Sequence, residues 1–158
     1  MPVGFGFDVH PFTFGRKLVL GGIVLDENRG LEGHSDADVL VHAVIDALLG
    51  AASLADIGTH FPDTDPAYKG VSSLELLERT REMLVEAGYT VENVDTTVVI
   101  DDPQIGPHRE RMAAAIAGSL GIEARRVNVK ATTTEGLGIS RKGEGAAAYA
   151  VAVLRETR

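Results

Sequence analysis

No cysteine occurs in the 158-residue chain. Disulfides, thiolate metal ligands and cysteine nucleophiles are thereby excluded, and any transition metal must be held by histidine and carboxylate. The same absence suits a reducing compartment, so the expected location is cytoplasmic. Basic residues are in deficit, 15 Lys and Arg against 23 Asp and Glu, for a formal net charge of -8. A nucleic-acid scaffold needs a basic face to neutralise phosphates, so no nucleic-acid partner is expected, and a phosphate-bearing ligand would have to be attracted by something other than net charge. No apolar run approaches the roughly 20 residues that span a bilayer, and the opening "MPVGFGFDVH" lacks the basic and apolar regions of a secretory signal. No membrane association is expected. Internal repeats, linkers and low-complexity tracts are missing too. What is left is one expected domain, residues 1–158, large enough to bury a hydrophobic core.

Two β-like runs open the chain, "VGFGFDVHPF" and "KLVLGGIVL", with Gly15 between them to turn it, and they read as a hairpin. In "HSDADVLVHAVIDALLGAAS" apolar residues at 39, 40, 43, 44, 47 and 48 follow a helical period, with Ser35 as the expected N-cap and Gly50 as the stop. The segment from about 51 to 71 has no lasting periodicity, and a loop that long in a compact domain is usually functional or disordered; a functional loop is expected here. A second helix is predicted in "SSLELLERTREMLVEAGY", where Ser72 and Glu75 have capping-box spacing and Gly88 ends the pattern. The β-branched "NVDTTVVID" reads as a buried strand, and "PHRERMAAAIAGSLGI" as a third helix from Pro107 to Gly121. "RRVNVKATTT" reads as a strand. "GEGAAAYAVAVL" fits strand or helix, since alanine suits both. The sum is a layered α+β domain with helices covering one face of a mixed sheet.

Several residues carry chemistry. In "GFDVHPF" an extended backbone points Asp8 and His10 to one side, presenting a carboxylate and an imidazole together. That is half of a metal site, though on spacing alone the pattern more often marks a solvated strand end. A catalytic zinc commonly takes three protein ligands and keeps a fourth position open. His42 in the first helix is a candidate third ligand, with Asp38 and Asp46 one turn to either side and available to orient its ring; it also suits a partly buried helix histidine satisfied by an aspartate. His34 lies just before that helix. The run "DIGTHFPDTDP" gathers Asp56, Asp63 and Asp65 on a constrained loop, suited to polyol hydroxyls, to a hard cation or to ordinary turn chemistry. In "KATTTEGLGISRKGEG", Lys130, Thr132, Thr133, Thr134 and Glu135 stand at a strand end, where hydroxyls and amides bind phosphate and Glu135 can hold a Mg²⁺, though threonine-rich strands are usually only strands. Arg141 and Lys142 fit a solvated turn.

Taken together, these pieces resemble the 2-C-methyl-D-erythritol 2,4-cyclodiphosphate synthases, a family of the non-mevalonate isoprenoid pathway. The resemblance is carried by "GFDVHPF", by "HSDADVLVHAVIDALLGAASLADIGTHFPDTDPAYKG", by "NVDTTVVI", and by "VNVKATTTEGLG" with Ser140 and the following "GEG". They span most of the chain in order. The resemblance implies a homotrimer with three active sites between neighbouring subunits. It implies zinc, or another divalent transition metal, on Asp8, His10 and His42, with a substrate phosphate oxygen in the open position, and a Mg²⁺ or Mn²⁺ on Glu135. His34, Ser35, Asp63 and Asp65, with Phe61, would line the methylerythritol phosphate pocket on a loop that orders with substrate. Asp56, Ile57 and Gly58 would hold the ribose. Ile100, Ile105 and Gly106 would frame the cytosine, while Ala131, Thr132, Thr133, Thr134 and Lys142 would complete the diphosphate contacts from the adjacent subunit. Asp8, His10, His34, His42 and Thr133 form the implied catalytic set.

The implied reaction needs no protein nucleophile. In 4-diphosphocytidyl-2-C-methyl-D-erythritol 2-phosphate the 2-phosphate attacks the β-phosphorus and expels CMP, giving the 2,4-cyclodiphosphate. Holding both ends of one molecule in line can supply roughly 7–11 kcal/mol of the barrier at best, and two cations would also invert the local potential of an acidic protein. Two stretches depart from the family pattern. "IDDPQIGPH" has Asp101, Asp102 and Gln104 where a lysine is expected, and Ile139 stands where some members have an aromatic residue at an apolar cavity on the trimer axis. There Phe7 would line the cavity and Arg141 or Lys142 cap it, and an isoprenoid diphosphate is the ligand it would suit. Two other readings compete: a divalent-metal phosphohydrolase, in which water replaces the internal nucleophile, and a non-catalytic trimeric binding protein, which would have no need of an open metal position.

Overall fold

A computed structural model of the chain describes residues 1–157, the side chains of 140–142 excepted. The expected contact of Lys142, and the cap expected of Arg141, therefore lie outside the described residues. The first strand, β1 (Val3–Phe14), alternates as far as Pro11: Gly4, Gly6, Asp8 and His10 face one side and Val3, Phe5, Phe7 and Val9 the other. It does not form the expected hairpin. The run 17–25 folds back on itself at Gly21 and Gly22, whose positive φ of 58° and 76° suits the tight turn. β2 (Leu18–Leu20) therefore pairs with β3 (Ile23–Asp26) in a separate two-stranded sheet. β1 pairs instead with β4 (Arg29–Leu31) at its end and with β7 (Gly145–Glu156) along most of its length.

The main sheet is mixed, in the order β4-β1-β7-β5-β6. β5 (Tyr89–Val99) and β6 (Val127–Thr132) are parallel, and β5 starts four residues earlier than the "NVDTTVVID" run predicts. The alanine-rich last run is the central strand β7, because pairing on both edges outweighs alanine's helical preference. Helices α1 (Val39–Ala51), α3 (Ser73–Glu86) and α4 (Arg109–Leu120) pack on one face of this sheet, and a single-turn α2 (Ile57–His60) lies in the expected loop. α4 follows a 3-10 turn at Gly106–His108 and ends where Gly121 turns left-handed at φ 67°. No described helix is long and apolar enough to cross a membrane.

Two predicted caps are corrected. Asp38, not Ser35, caps α1: its carboxylate accepts from Val41 N at 3.0 Å and also from the N–H groups of Gly21 and Gly22. A carboxylate with two oxygens serves three donors where one hydroxyl serves fewer. Ser72 does cap α3 by position, but makes no side-chain cap bond, and Glu75 pairs with Arg79 instead of closing a box.

Helix α1 is buried on nearly every side, leaving only a stripe at i, i+4 spacing, His42, Asp46 and Gly50, short of full burial. It lies almost in contact with β1. A Cβ built on Gly6 would stand 1.9 Å from the Ala43 carbonyl oxygen, and one on Gly4 equally close to that of Ala47. Beside them β7 offers Ala146, Ala148, Ala150 and Ala152, all buried. Hydrogen and methyl are the only side chains that fit beneath this helix, and the close approach sets His42 directly above Asp8.

Candidate functional site

One carboxylate oxygen organises the site. Asp8 Oδ2 lies 3.0 Å from His10 Nε2 and 3.0 Å from His42 Nδ1. Among the described residues these three form the one group whose ligand atoms lie within 4.8 Å of one another. A tetrahedral zinc with ligands at 2.0–2.1 Å requires ligand atoms roughly 3.3 Å apart, close to the two 3.0 Å separations from Asp8 Oδ2. Each ring also has a partner on its far side. His10 makes a backbone hydrogen bond with Glu32, and His42 Nε2 lies 2.8 Å from Ser73 Oγ and 3.1 Å from Ser35 Oγ. Imidazoles held from behind are typical of metal ligation, and the donor set fits a divalent cation.

The electrostatics agree. Burial pushes the Asp8 carboxyl up, but its hydrogen bonds with His10 and His42 and their charge outweigh this and bring it to about 2. The hydrogen bond to Asp8 in turn raises His10. The expected role of Asp38 and Asp46 in orienting His42 is not found, because Asp38 is consumed by helix capping and Asp46 accepts from Ile57 N at 2.8 Å. Burial raises Asp46 above the usual carboxylate range. Two residues carry no sequence expectation: Asp36, and Ser73, whose only signal is a second serine following a helix cap.

Beside the trio opens a cavity of about 360 Å³. His34, Ser35, Ile57, Gly58, Phe61 and Asp63 line it. Asp65 does not line it; its carboxylate caps the short turn Pro66–Tyr68, and its carbonyl lies 2.9 Å from His34 Nε2. Asp56 likewise caps α2, accepting from Thr59 N and Oγ1. The loop runs back to the body at two backbone bonds, Gly70 N to His34 O and Asp36 N to Val71 O. Arg16 braces the opposite side by donating to the carbonyls of Gly33 and Ser35 at 2.7 and 2.6 Å. Ala37, between these anchors, has φ 56°, a conformation costly for a residue with a side chain and common where a site is over-determined.

A second cavity, about 310 Å³, gathers Ile100, Ile105, Gly106, Ala131, Thr132 and Thr133. Thr134 and Glu135 follow directly; Glu135 is left-handed at φ 55° and its N–H donates to Thr133 Oγ1. The register His10 to Ala146, Ala147 to Val99, and Val99 to Thr132 sets both cavities at one end of the sheet. Three strand spacings separate them, about 14 Å. Within one chain the expected site residues therefore fall into two groups, and Glu135 is with the second, not with the trio.

The YgbB family model matches residues 1–155. Among curated relatives, the 2-C-methyl-D-erythritol 2,4-cyclodiphosphate synthase of Desulfatibacillum aliphaticivorans is 58% identical over 98% of this chain and 99% of its own length. That of Syntrophobacter fumaroxidans is 57% identical, covering 98% of each. Of solved structures, the bifunctional IspDF from Campylobacter jejuni superposes with a TM-score of 0.94 at 41% identity over 98% of this chain, which spans only 42% of that larger one. The CDP complex of IspF from Plasmodium falciparum gives a TM-score of 0.86 at 29% identity, covering 99% of this chain and 97% of that one. With its motifs, its fold and its full-length relatives in agreement, this chain belongs to the YgbB family.

Proposed function

We propose that this chain converts 4-diphosphocytidyl-2-C-methyl-D-erythritol 2-phosphate to 2-C-methyl-D-erythritol 2,4-cyclodiphosphate with release of CMP, a step of the non-mevalonate isoprenoid pathway. The observation that carries the reading is the convergence of His10 and His42 on one oxygen of Asp8, in the wall of a cavity where His34, Ser35 and Asp63 stand among the apolar Ile57, Phe61 and Leu76. Asp8, His10 and His42 would hold a zinc or similar divalent ion, and Glu135 a Mg²⁺ or Mn²⁺; such ions supply charge neutralisation on phosphate oxygens. The protein's own part is positional. His34, Ser35 and Asp63 hold the methylerythritol end, through hydroxyl-matched acceptors and the imidazole, and Asp65 shapes the same loop by capping its Pro66–Tyr68 turn. Asp56, Ile57 and Gly58 offer backbone and carboxylate groups to the ribose. Ile100, Ile105 and Gly106 hold the cytosine by main-chain atoms, with Ala131, Thr132, Thr133 and Thr134 along the diphosphate. Held so, the 2-phosphate lies in line with the β-phosphorus and CMP leaves on the far side, with no covalent bond to the enzyme.

The same reading includes a homotrimer. Two half-sites roughly three strands apart on one subunit are too far apart for one compact pocket, and juxtaposing the trio of one copy with the Thr132 group of the next closes the gap. The sheet face opposite the helices supports this: Phe5 is 64% exposed and Phe7, Val9, Tyr149 and Val151 are each 40% exposed, a contiguous apolar patch of the kind that marks an interface. Near the axis, Phe7 would also line a cavity suited to an isoprenoid chain.

Phosphorus NMR tests the reaction. Purified protein with substrate and Mg²⁺ is expected to give equimolar CMP and a cyclic diphosphate, with turnover lost on chelation of the transition metal and restored by zinc. Inorganic phosphate as the product would instead identify a hydrolase, and absence of turnover with metal bound would overturn the catalytic reading.

A further inference from the structure

We propose that Asp36 and Ser73 form a positioning pair that fixes the ring of His42 with Nδ1 toward the metal and strengthens it as a ligand; this rests on the reading of Asp8, His10 and His42 as metal ligands. The assignment follows from counting hydrogens. Asp36 Oδ2 accepts from Ser73 N at 2.9 Å, and Oδ1 accepts from Asp38 N at 3.1 Å and from the Ser73 hydroxyl in a short contact. An ionised carboxylate has no hydrogen to give, so the Ser73 hydroxyl spends its single hydrogen on Asp36. Its lone pairs are then what it offers to His42 Nε2, 2.8 Å away, so Nε2 supplies the proton of that bond, which it shares with the Ser35 hydroxyl 3.1 Å away. A ring protonated at Nε2 keeps a free lone pair at Nδ1, the nitrogen 3.0 Å from Asp8 Oδ2.

Three further observations fit. Ser73 is fully buried, so no water competes for its hydroxyl. A carboxylate behind the hydroxyl makes its oxygen a better acceptor, and charge polarised toward Nε2 makes Nδ1 a better donor to a cation. Asp36 and Ser73 also sit where the 61–71 loop rejoins the body, through the Asp36 N to Val71 O bond, so the base of the loop and the rear of the ligand share one anchor.

The test titrates zinc into metal-stripped protein against a chromophoric chelator, comparing the unaltered chain with Ser73→Ala and with the isosteric Asp36→Asn. Asp36→Asn leaves the size unchanged but places an amide against the Ser73 donors, freeing the hydroxyl to donate to Nε2 and so favouring the wrong tautomer. Both variants are expected to lose about 10–100-fold in zinc affinity, the range for removing a partner behind a ligand, and nitrogen NMR of the zinc-loaded unaltered chain is expected to show His42 protonated at Nε2. Zinc affinity within twofold of the unaltered chain in a folded variant, whatever its melting temperature, overturns the pair's role. Failure of the unaltered chain to bind zinc would instead overturn the metal site itself.

Discussion

At the scale of single residues, Asp8 carries the most. Its carboxyl stands near 2 in the fold against an ordinary 3.8. The ionised form therefore favours folding above the ordinary value, and this contribution fades as the pH falls from about 4 to about 2. The shift corresponds to about 2 kcal/mol. In metal-stripped protein, denaturant unfolding is expected to show Asp8→Asn less stable by roughly that amount near pH 5, the difference closing toward pH 2; a gap that ignores pH would remove the ionic account. The pairing of Asp8 with His10 was legible because an i, i+2 spacing in a strand has one geometric outcome. His42 was not legible from spacing, since a helix histidine between two aspartates offers several partners, and the true ones come from a distant strand, Asp8, from a loop, Ser35, and from a different helix, Ser73. Hydroxyls act here only through tertiary placement, which leaves no mark on local pattern.

At the scale of elements, the approach of α1 to β1 decides whether a site exists. Gly6→Ala places a methyl group where the Ala43 carbonyl stands, and the helix cannot yield without leaving the buried alanines of β7. A loss of about 1–3 kcal/mol or more is expected, accompanied by weakened zinc binding as His42 is lifted from Asp8, both measurable by denaturant titration with and without metal. An unchanged midpoint would mean that the helix can shift freely. The helices were legible from their 3.6-residue period, and the alternation of "GFGFDVH" announced a strand with one small and one bulky face. Two features were not. The "KLVLGGIVL" run hides its own turn inside two glycines, so its pattern points to the wrong partner for β1. The alanine run of β7 was ambiguous because its small side chains answer to the helix above it and not to any local preference.

At the scale of the whole molecule, the sheet has two unlike faces. Helices cover one; on the other, Phe5 and Phe7 stack around Tyr149 with ring centroids 6.1 and 5.0 Å away, while Lys130 and Asp95 pair at 2.6 Å on the β5–β6 side. Phe5→Asp is expected to leave the fold and zinc binding intact, since Phe5 points away from the helices, but to yield monomers by sedimentation and to abolish turnover. A fully active monomer would place both half-sites within one chain after all. The outline of this molecule was readable from composition and period, whereas the proposed assembly had no local signal beyond the family resemblance, because exposed apolar residues become meaningful once the sheet has gathered them. The metal trio has a further consequence for a chain that has no cysteine. A cation held jointly by residue 8 and residue 42, which are 34 positions apart, would bind the folded chain and not the unfolded one, so the fold would gain stability with the logarithm of the free ion's concentration over its dissociation constant. Such a gain is reversible, so the durability of the whole fold would rise and fall with the supply of one trace element.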